Sequence, residues 1–106
     1  MVPIEEFKKL DIRIAEIESA TPHPNADRLY VLNIKVGEKR KQIVAGIRQH
    51  YGIEELPGKK IVIVDNLEPA VIRGVESQGM LLAASDATNL TLLTPERPIA
   101  DGAAVK

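Results

Sequence analysis

The residues with the strongest potential for chemistry lie in one glycine-framed stretch, residues 73–84. Ser77 stands between Gly74 and Gly79, beside a glutamate and a glutamine. The hydrolase nucleophile elbow also frames a serine with glycines, but it leaves one residue on each side and is followed by a helix. Here two residues separate Gly74 from Ser77, and the apolar run that follows is typical of a buried strand. The stretch therefore predicts a polar lip on a core strand, where Ser77 either contacts a ligand or hydrogen-bonds its own backbone as a turn serine.

Few other residues could support catalysis or hold a cofactor. The chain has no cysteine, which excludes disulfides, thiolate nucleophiles and zinc–thiolate sites. Its two histidines, His23 and His50, are far apart in the sequence, and no Gly-x-x-x-x-Gly-Lys phosphate loop occurs. We therefore expect no catalytic residue, no metal, no cofactor and a protein that is not an enzyme.

Basic residues are concentrated in the middle of the chain, although the formal net charge is only −1. Residues 28–73 hold nine Lys and Arg against five Asp and Glu, whereas the flanks hold five basic and ten acidic residues. Four of the basic residues surround one expected hairpin: Lys35, Lys39, Arg40 and Lys41. Such a distribution either attracts a polyanion to one side of the molecule or is an ordinary solvated surface.

The length of the chain, 106 residues, predicts a single domain over residues 1–106. No stretch approaches the roughly 20 apolar residues that cross a bilayer, and no signal-peptide pattern begins the chain. We therefore expect no membrane partner. Together with the lack of cysteine, these features favour a cytoplasmic protein.

The order of the expected elements predicts an all-β fold. A short helix over residues 3–10 precedes one long strand, residues 11–20, whose apolar parity slips at Ala15 and predicts a β-bulge there. The later elements are a strand hairpin over 30–47, a helical turn or two within 46–58, a buried strand at 61–64, a strand from 70 that continues through the lip to 84, and a short strand at 90–93. Five strands with a short helix between the third and fourth match an OB-fold, a five-stranded Greek-key barrel, here with an N-terminal helix and a C-terminal extension. An SH3-like or split open barrel is the alternative.

The scarcity of aromatic residues narrows the ligands that such a barrel could bind. OB-folds bind oligonucleotides or oligosaccharides on strands two and three and on the loops beside them. Proteins that bind single strands usually stack bases on several aromatic side chains, and this chain has only Phe7, Tyr30 and Tyr51. The composition therefore favours a folded nucleic acid, recognised through phosphates, ribose and shape.

Five blocks of the sequence, in order and at matching spacing, resemble the tRNA-binding OB-fold domain family: residues 7–14, 23–30, 44–47, 75–84 and 92–95. In that family the domain is appended to the C-terminus of many methionyl-tRNA synthetases and also occurs as a free homodimer. Relatives include a module of the phenylalanyl-tRNA synthetase β subunit and a cytokine-like eukaryotic cofactor. The resemblance implies a non-catalytic, structure-specific tRNA binder that supports aminoacylation. Its implied partners are tRNA, a second copy of the chain and a methionyl-tRNA synthetase catalytic chain.

The resemblance also assigns binding residues. It maps the lip to Ser77 and Met80, the Asn-Ala-Asp loop to Asn25 and Arg28, and the hairpin base to Arg40 and Lys41. With the neighbouring cations and the lip glutamine, the predicted tRNA-binding set is Asn25, Arg28, Lys35, Arg40, Lys41, Arg73, Ser77, Gln78 and Met80.

One segment departs from the family pattern. Where relatives often have a run of the type Asn-Leu-Lys-Pro-Arg-Lys-Met-Arg, residues 66–73 keep only Arg73 positive, and Glu68 reverses a charge. Each lost phosphate contact lowers affinity and salt dependence, so we expect a weaker tRNA binder than a typical relative. The alternatives are a secretion-linked, chaperone-like or other protein-interaction module, whose family branch tends to lack the Asn-Ala-Asp loop and the lip, and a dimerisation module whose RNA face has decayed.

Overall fold

The computed structural model describes all 106 residues, Met1–Lys106. Its elements are the helix α1 (Ile4–Phe7), a single 3-10 turn (Ile53–Glu55) and the strands β1 (Ile12–Pro22), β2 (Tyr30–Val36), β3 (Lys39–Ala45), β4 (Lys60–Val64), β5 (Ala70–Ile72), β6 (Val75–Ser77), β7 (Met80–Leu81), β8 (Ala83–Ser85), β9 (Leu90–Leu92) and β10 (Ala104–Val105). The predicted all-β class is confirmed. No helix in the structure has the length and apolarity needed to cross a membrane.

The main sheet is curled around β1. Its strand order is β3-β2-β1-β4-β7, every neighbouring pair is antiparallel, and β10 adds to β1. The first half of β1 pairs with β4 and the second half with β2, so this one long strand serves two parts of the sheet, as predicted. This half-barrel sheet is the curled, OB-like architecture that the element order indicated.

The predicted bulge lies three residues later than expected. The register between β1 and β2 shifts between Ile17 and Ser19, whereas the ladder from β1 to β4 runs unbroken through Ala15. Ile14 and Ala15 are both buried. Successive strand residues point to opposite faces, so both faces of β1 are covered here. The slip in parity therefore reflected two-sided burial, and the bulge itself falls at Glu18.

The core is aliphatic and draws on every long strand. Fully buried side chains come from β1 to β4, and Ile47 and Leu56 join them from the connection between β3 and β4. Leu56 directly follows the 3-10 turn Ile53–Glu55, which lies within the segment 46–58 where the sequence predicted a helical turn or two. The strand periodicity in the sequence predicted this core because alternate residues of each strand share one face.

The stretch from Ala70 to Ser85 is not the continuous strand that the sequence predicted. β5 and β6 form a hairpin, β7 then pairs with β4, and β8 pairs with β9. The hairpin reverses at Arg73 and Gly74, whose φ angles are +52° and +89°. Two consecutive positive φ angles in a two-residue loop match a type I′ turn, whose twist suits the flanking strands. The chain therefore folds back on itself before the lip begins.

The two ends of the chain are held differently. The C-terminal segment adds β10 to the sheet, and the carboxylate of Asp101 lies 3.3 Å from the ammonium of Lys35. At the other end α1 is exposed throughout and has no buried residue. The side chain of Asn66 fixes the exit of α1: it donates to the Lys9 carbonyl at 2.7 Å and accepts from the Asp11 amide at 2.8 Å.

Candidate nucleic-acid interface

The polar lip closes the sheet against β3. The buried hydroxyl of Ser77 accepts a hydrogen bond from the Val44 amide at 2.9 Å and donates to the Gly79 carbonyl at 3.0 Å. The Gln78 side-chain oxygen accepts a hydrogen bond from the Gln42 backbone amide at 2.9 Å, and the Gln78 backbone amide donates to the Gln42 backbone carbonyl at 2.8 Å. Side chains therefore supply part of the pairing that a backbone ladder would provide at this seam.

This seam places the lip beside the β2–β3 hairpin. The hydroxyl of Ser77 and the side-chain oxygen of Gln78, however, already have partners within the fold. Met80 differs, because its side chain remains half exposed beside β4.

The cations of the β2–β3 hairpin are neutralised within the molecule. Arg40 binds both carboxylate oxygens of Glu18, at 3.0 and 3.3 Å, so the residue of the bulge faces the hairpin. Lys35 pairs with Asp101 at 3.3 Å. Lys41 reaches a carboxylate oxygen of Asp65 at 2.7 Å. The hairpin that looked strongly basic in the sequence is therefore a set of ion pairs.

Asp65 is the anion at the centre of that set. It is buried, and one of its carboxylate oxygens has only the Lys41 ammonium as a partner, whereas the other lies 3.2 Å from Lys39. Burial by itself raises the pKa of the Asp65 carboxyl, but the hydrogen bonds and charges of Lys41 and Lys39 outweigh it, so the pKa lies below its ordinary value. Lys41 also donates to the Asp65 backbone carbonyl at 2.9 Å, which locks it in place.

Three arginines without an ion-pair partner surround the loop between β1 and β2: Arg28, Arg48 and Arg73. The guanidinium of Arg73 donates to the Asn25 carbonyl at 3.0 Å. Arg48 donates to the Ala26 carbonyl at 3.5 Å, and its amide donates to the Arg28 carbonyl at 3.4 Å. We call this group the arginine end. The name includes the loop residues Asn25 and Asp27, so the group carries three guanidiniums and the exposed carboxylate of Asp27.

The structure thus divides the nine predicted residues among three places. Asn25, Arg28 and Arg73 meet at the arginine end, Lys35, Arg40 and Lys41 lie in the neutralised hairpin, and Ser77, Gln78 and Met80 lie in or next to the seam.

Arg48 was missed by the sequence reasoning. Its guanidinium carbon lies 5.9 Å from the centroid of the buried Tyr30 ring, within the range of a cation–π contact. The available signal was its place directly after one of the blocks that carry the resemblance, residues 44–47.

Comparison with known proteins identifies the family of this chain. Residues 12–104 match the family described as a putative tRNA binding domain. The chain is 49% identical over 105 residues to a methionine–tRNA ligase of Thermococcus kodakarensis and 50% identical over 104 residues to that of Thermotoga maritima. It spans 99% and 98% of its own length in these matches, but only 14% and 16% of the two ligases.

Solved structures show the same fold over the full length of this chain. A MetRS-related protein of Pyrococcus horikoshii superposes with a TM-score of 0.93 at 32% identity, covering 100% of this chain and 98% of the other. The chaperone CsaA of Bacillus anthracis gives a TM-score of 0.90 at 31% identity, covering 100% and 99%. With the family match over residues 12–104, these similarities show that the chain belongs to the family of putative tRNA-binding domains, which are non-catalytic RNA-binding modules.

Proposed function

We propose that this domain binds folded tRNA and that the arginine end makes the principal phosphate contacts. The observation that carries the proposal is the contrast between two groups of cations. Arg28, Arg48 and Arg73 have no ion-pair partner, whereas the hairpin cations are already paired. An unpaired guanidinium can bind phosphate without first giving up a carboxylate, and its planar fork suits phosphate oxygens.

The positions of the aromatic residues support a folded RNA as the ligand. Tyr30 is buried, and its hydroxyl donates to the Tyr51 carbonyl at 2.7 Å. Tyr51 is half buried, and its own hydroxyl accepts from the Leu92 amide at 3.0 Å. Phe7 is therefore the one exposed aromatic side chain, and a single exposed ring does not make a surface on which successive bases stack. Contacts to phosphate and ribose on a structured RNA fit this surface better.

The remaining predicted residues take secondary roles in this proposal. Asn25 holds Arg73 in place through two hydrogen bonds. The exposed Arg40–Glu18 pair can exchange its carboxylate for a phosphate at small cost because exposed ion pairs contribute little. Ser77 and Gln78 shape the seam, and Met80 supplies an apolar contact beside it. Lys35 and Lys41 stay in their ion pairs and add little net charge to this surface.

We propose further that two copies of the chain associate through α1. The apolar side chains of Val2, Ile4, Phe7 and Leu10 are all exposed on this one segment. A helix of four residues has little stability of its own, so an apolar face left open to water is best explained by a second copy packed against it. A two-fold pair would present two arginine ends to one tRNA and raise the effective affinity.

The relatives of this chain support a role in protein synthesis. Both quoted sequence relatives are methionine–tRNA ligases that are much longer than this chain. We therefore propose that residues 1–106 act as one binding unit that supports methionyl-tRNA synthetase, either joined to it or alongside it, in the cytoplasm.

The experiment that tests the RNA proposal measures tRNA affinity against salt concentration. Wild type should bind bulk tRNA more tightly than single-stranded RNA of the same length. Arg28→Gln and Arg73→Gln should each weaken binding and reduce the log–log salt slope by about 0.7 to 0.9, because each removes one phosphate contact. Arg97→Gln is the matched control, since Arg97 is highly exposed on the C-terminal segment and lies next to Glu96.

Two results would count against the proposal. One is a wild-type protein that forms no salt-sensitive complex with tRNA at micromolar concentration. The other is an equal loss of affinity in the Arg97→Gln control, which would mean that overall charge and not the arginine end governs binding.

A further inference from the structure

We infer that His23 is a positioning residue: it fastens the β1–β2 loop to the β5–β6 turn and so sets the spacing of the arginines that contact RNA. This inference rests on the proposed function, because the arginines matter only if that surface binds phosphate. The side chain of His23 is buried, so it is not placed to contact RNA directly. Its effect on binding would be exerted through Asn25 and Arg73.

The two ring nitrogens of His23 are each committed to a different partner. Nδ1 accepts a hydrogen bond from the Asn25 amide at 2.9 Å, and Nε2 lies 2.9 Å from the Ile72 carbonyl oxygen. A backbone amide can only donate and a carbonyl can only accept. The geometry therefore requires the neutral ring with its proton on Nε2. One imidazole bridges two segments that are 49 positions apart in the sequence.

A second pair of hydrogen bonds completes the connection. The Asn25 side-chain amide donates to the Arg73 carbonyl at 3.3 Å, and the Arg73 guanidinium donates back to the Asn25 carbonyl at 3.0 Å. Together with the two His23 bonds these form what we call the histidine clasp: His23, Asn25, Ile72 and Arg73. Two of its members, Asn25 and Arg73, are exposed and belong to the arginine end.

The turn that the clasp holds is strained at Arg73. Arg73 is the one non-glycine residue of the chain with a positive φ, +52°. Side chains with a Cβ rarely adopt this conformation, and it persists where surrounding contacts determine it. The clasp supplies those contacts on both sides of the turn residue, through the carbonyl of Ile72 and the carbonyl and guanidinium of Arg73.

Holding the turn in advance has a direct benefit for binding. An arginine on a free loop loses conformational freedom when it grips a phosphate, and that loss reduces affinity. With the clasp formed, the backbone of Arg73 is already fixed relative to the loop that carries Arg28. Opening the clasp should weaken RNA binding without removing any charge from the surface.

Two substitutions separate the two bonds of His23. The side-chain oxygen of asparagine can replace Nδ1 as an acceptor but is too short to reach Ile72, whereas the side-chain amide of glutamine can replace Nε2 as a donor but leaves Asn25 unpaired. The experiment therefore compares the tRNA affinity and salt slope of wild type, His23→Asn and His23→Gln, at a temperature well below unfolding of each. His50→Gln is the matched control at an exposed histidine.

We expect His23→Asn and His23→Gln each to weaken tRNA binding roughly five- to tenfold and to lower the salt slope by about one, although neither changes the charge of the surface. The Asn25 amide should lose protection from hydrogen exchange in His23→Gln and keep it in His23→Asn. In wild type, ring ¹⁵N chemical shifts should show the proton on Nε2. A purely structural role would lower thermal stability and leave the salt slope unchanged.

The failure of this inference is distinguishable from failure of the proposed function. If wild type binds tRNA and both His23 variants bind with the same affinity and slope, the inference is overturned and the arginine end still stands. A proton on Nδ1 would also overturn it. If wild type does not bind tRNA at all, both are overturned.

Discussion

Single residues decide how much of the positive charge of this chain is free to act. The sequence places four cations around the β2–β3 hairpin, but Glu18, Asp65 and Asp101 cancel most of them. The three arginines of the arginine end lack such partners. The accessible charge therefore follows from which cations find a carboxylate in the fold, and not from where cations are densest along the chain.

Asp65 leads to a prediction about stability at the residue scale. Asp65→Asn should lower the free energy of unfolding by roughly 2 kcal/mol near neutral pH, because it leaves the largely buried Lys41 ammonium without its anion. Chemical denaturation at a series of pH values is the measurement. Asp27→Asn, at an exposed carboxylate with no ion pair, is the control and should have little effect.

The pH dependence of this effect follows from the lowered pKa of Asp65. A carboxyl whose pKa is lower in the folded than in the unfolded state stabilises the fold above the unfolded value, about 3.9, and loses that contribution as the pH falls through the folded value. The difference between wild type and Asp65→Asn should therefore be constant from about pH 5 to 8 and shrink below about pH 4. A difference that grows on acidification would contradict this account.

At the scale of elements, the β5–β6 hairpin is where the structure differs most from the sequence-based prediction. Type I′ turns usually have Asn-Gly or Gly-Gly at their two central positions, and Arg73-Gly74 lacks that signal at the first of them. The sequence pattern therefore predicts one continuous strand. The strands β1 to β4 were predictable because their apolar residues alternate and their burial follows that alternation.

The unpredicted features share one physical cause, which is contact between segments far apart in the sequence. Strand β10 forms only because β1 offers it an open edge, and Lys35 is neutralised by a carboxylate 66 positions away. No local pattern encodes such pairs. The candidate site was predicted in part for the same reason: Asn25, Arg28 and Arg73 were named from the resemblance and from charge, but their meeting at one loop depends on the histidine clasp.

The turn itself gives a prediction at this scale. Arg73→Asn should change the free energy of unfolding by less than roughly 1 kcal/mol, because asparagine tolerates a positive φ better than arginine does but loses the hydrogen bond from the Arg73 guanidinium to the Asn25 carbonyl. The same change should weaken tRNA binding, since it removes a guanidinium from the arginine end. Urea unfolding and tRNA titration on the same sample provide the two readouts. A variant that is both less stable and unchanged in binding would refute the assignment.

For the whole molecule, the exposed apolar face of α1 leads to a prediction about association. Phe7→Asp should shift the protein from dimer to monomer, because a charge would be placed in the centre of the proposed contact. Light scattering coupled to size exclusion gives the mass directly. Lys8→Asp is the control, as it changes charge on the same segment outside the apolar side-chain set.

The outcome also separates the two proposed surfaces. The monomeric variant should keep the tRNA affinity of one arginine end and lose only the gain from pairing two of them. If wild type is already a monomer in solution, the proposal of a second copy is wrong.

The seam between the lip and β3 makes the fold sensitive to substitution at two positions. Backbone hydrogen bonds form whatever the side chains are, so an ordinary ladder survives most substitutions. Here the Val44 and Gln42 amides of β3 rely on the side chains of Ser77 and Gln78. Substitution of Ser77 or Gln78 would therefore leave part of this edge of β3 unpaired, while the backbone bond from Gln78 to Gln42 would remain. An unpaired strand edge can pair with a strand of a neighbouring chain, so we expect substitutions at those two positions to lower solubility.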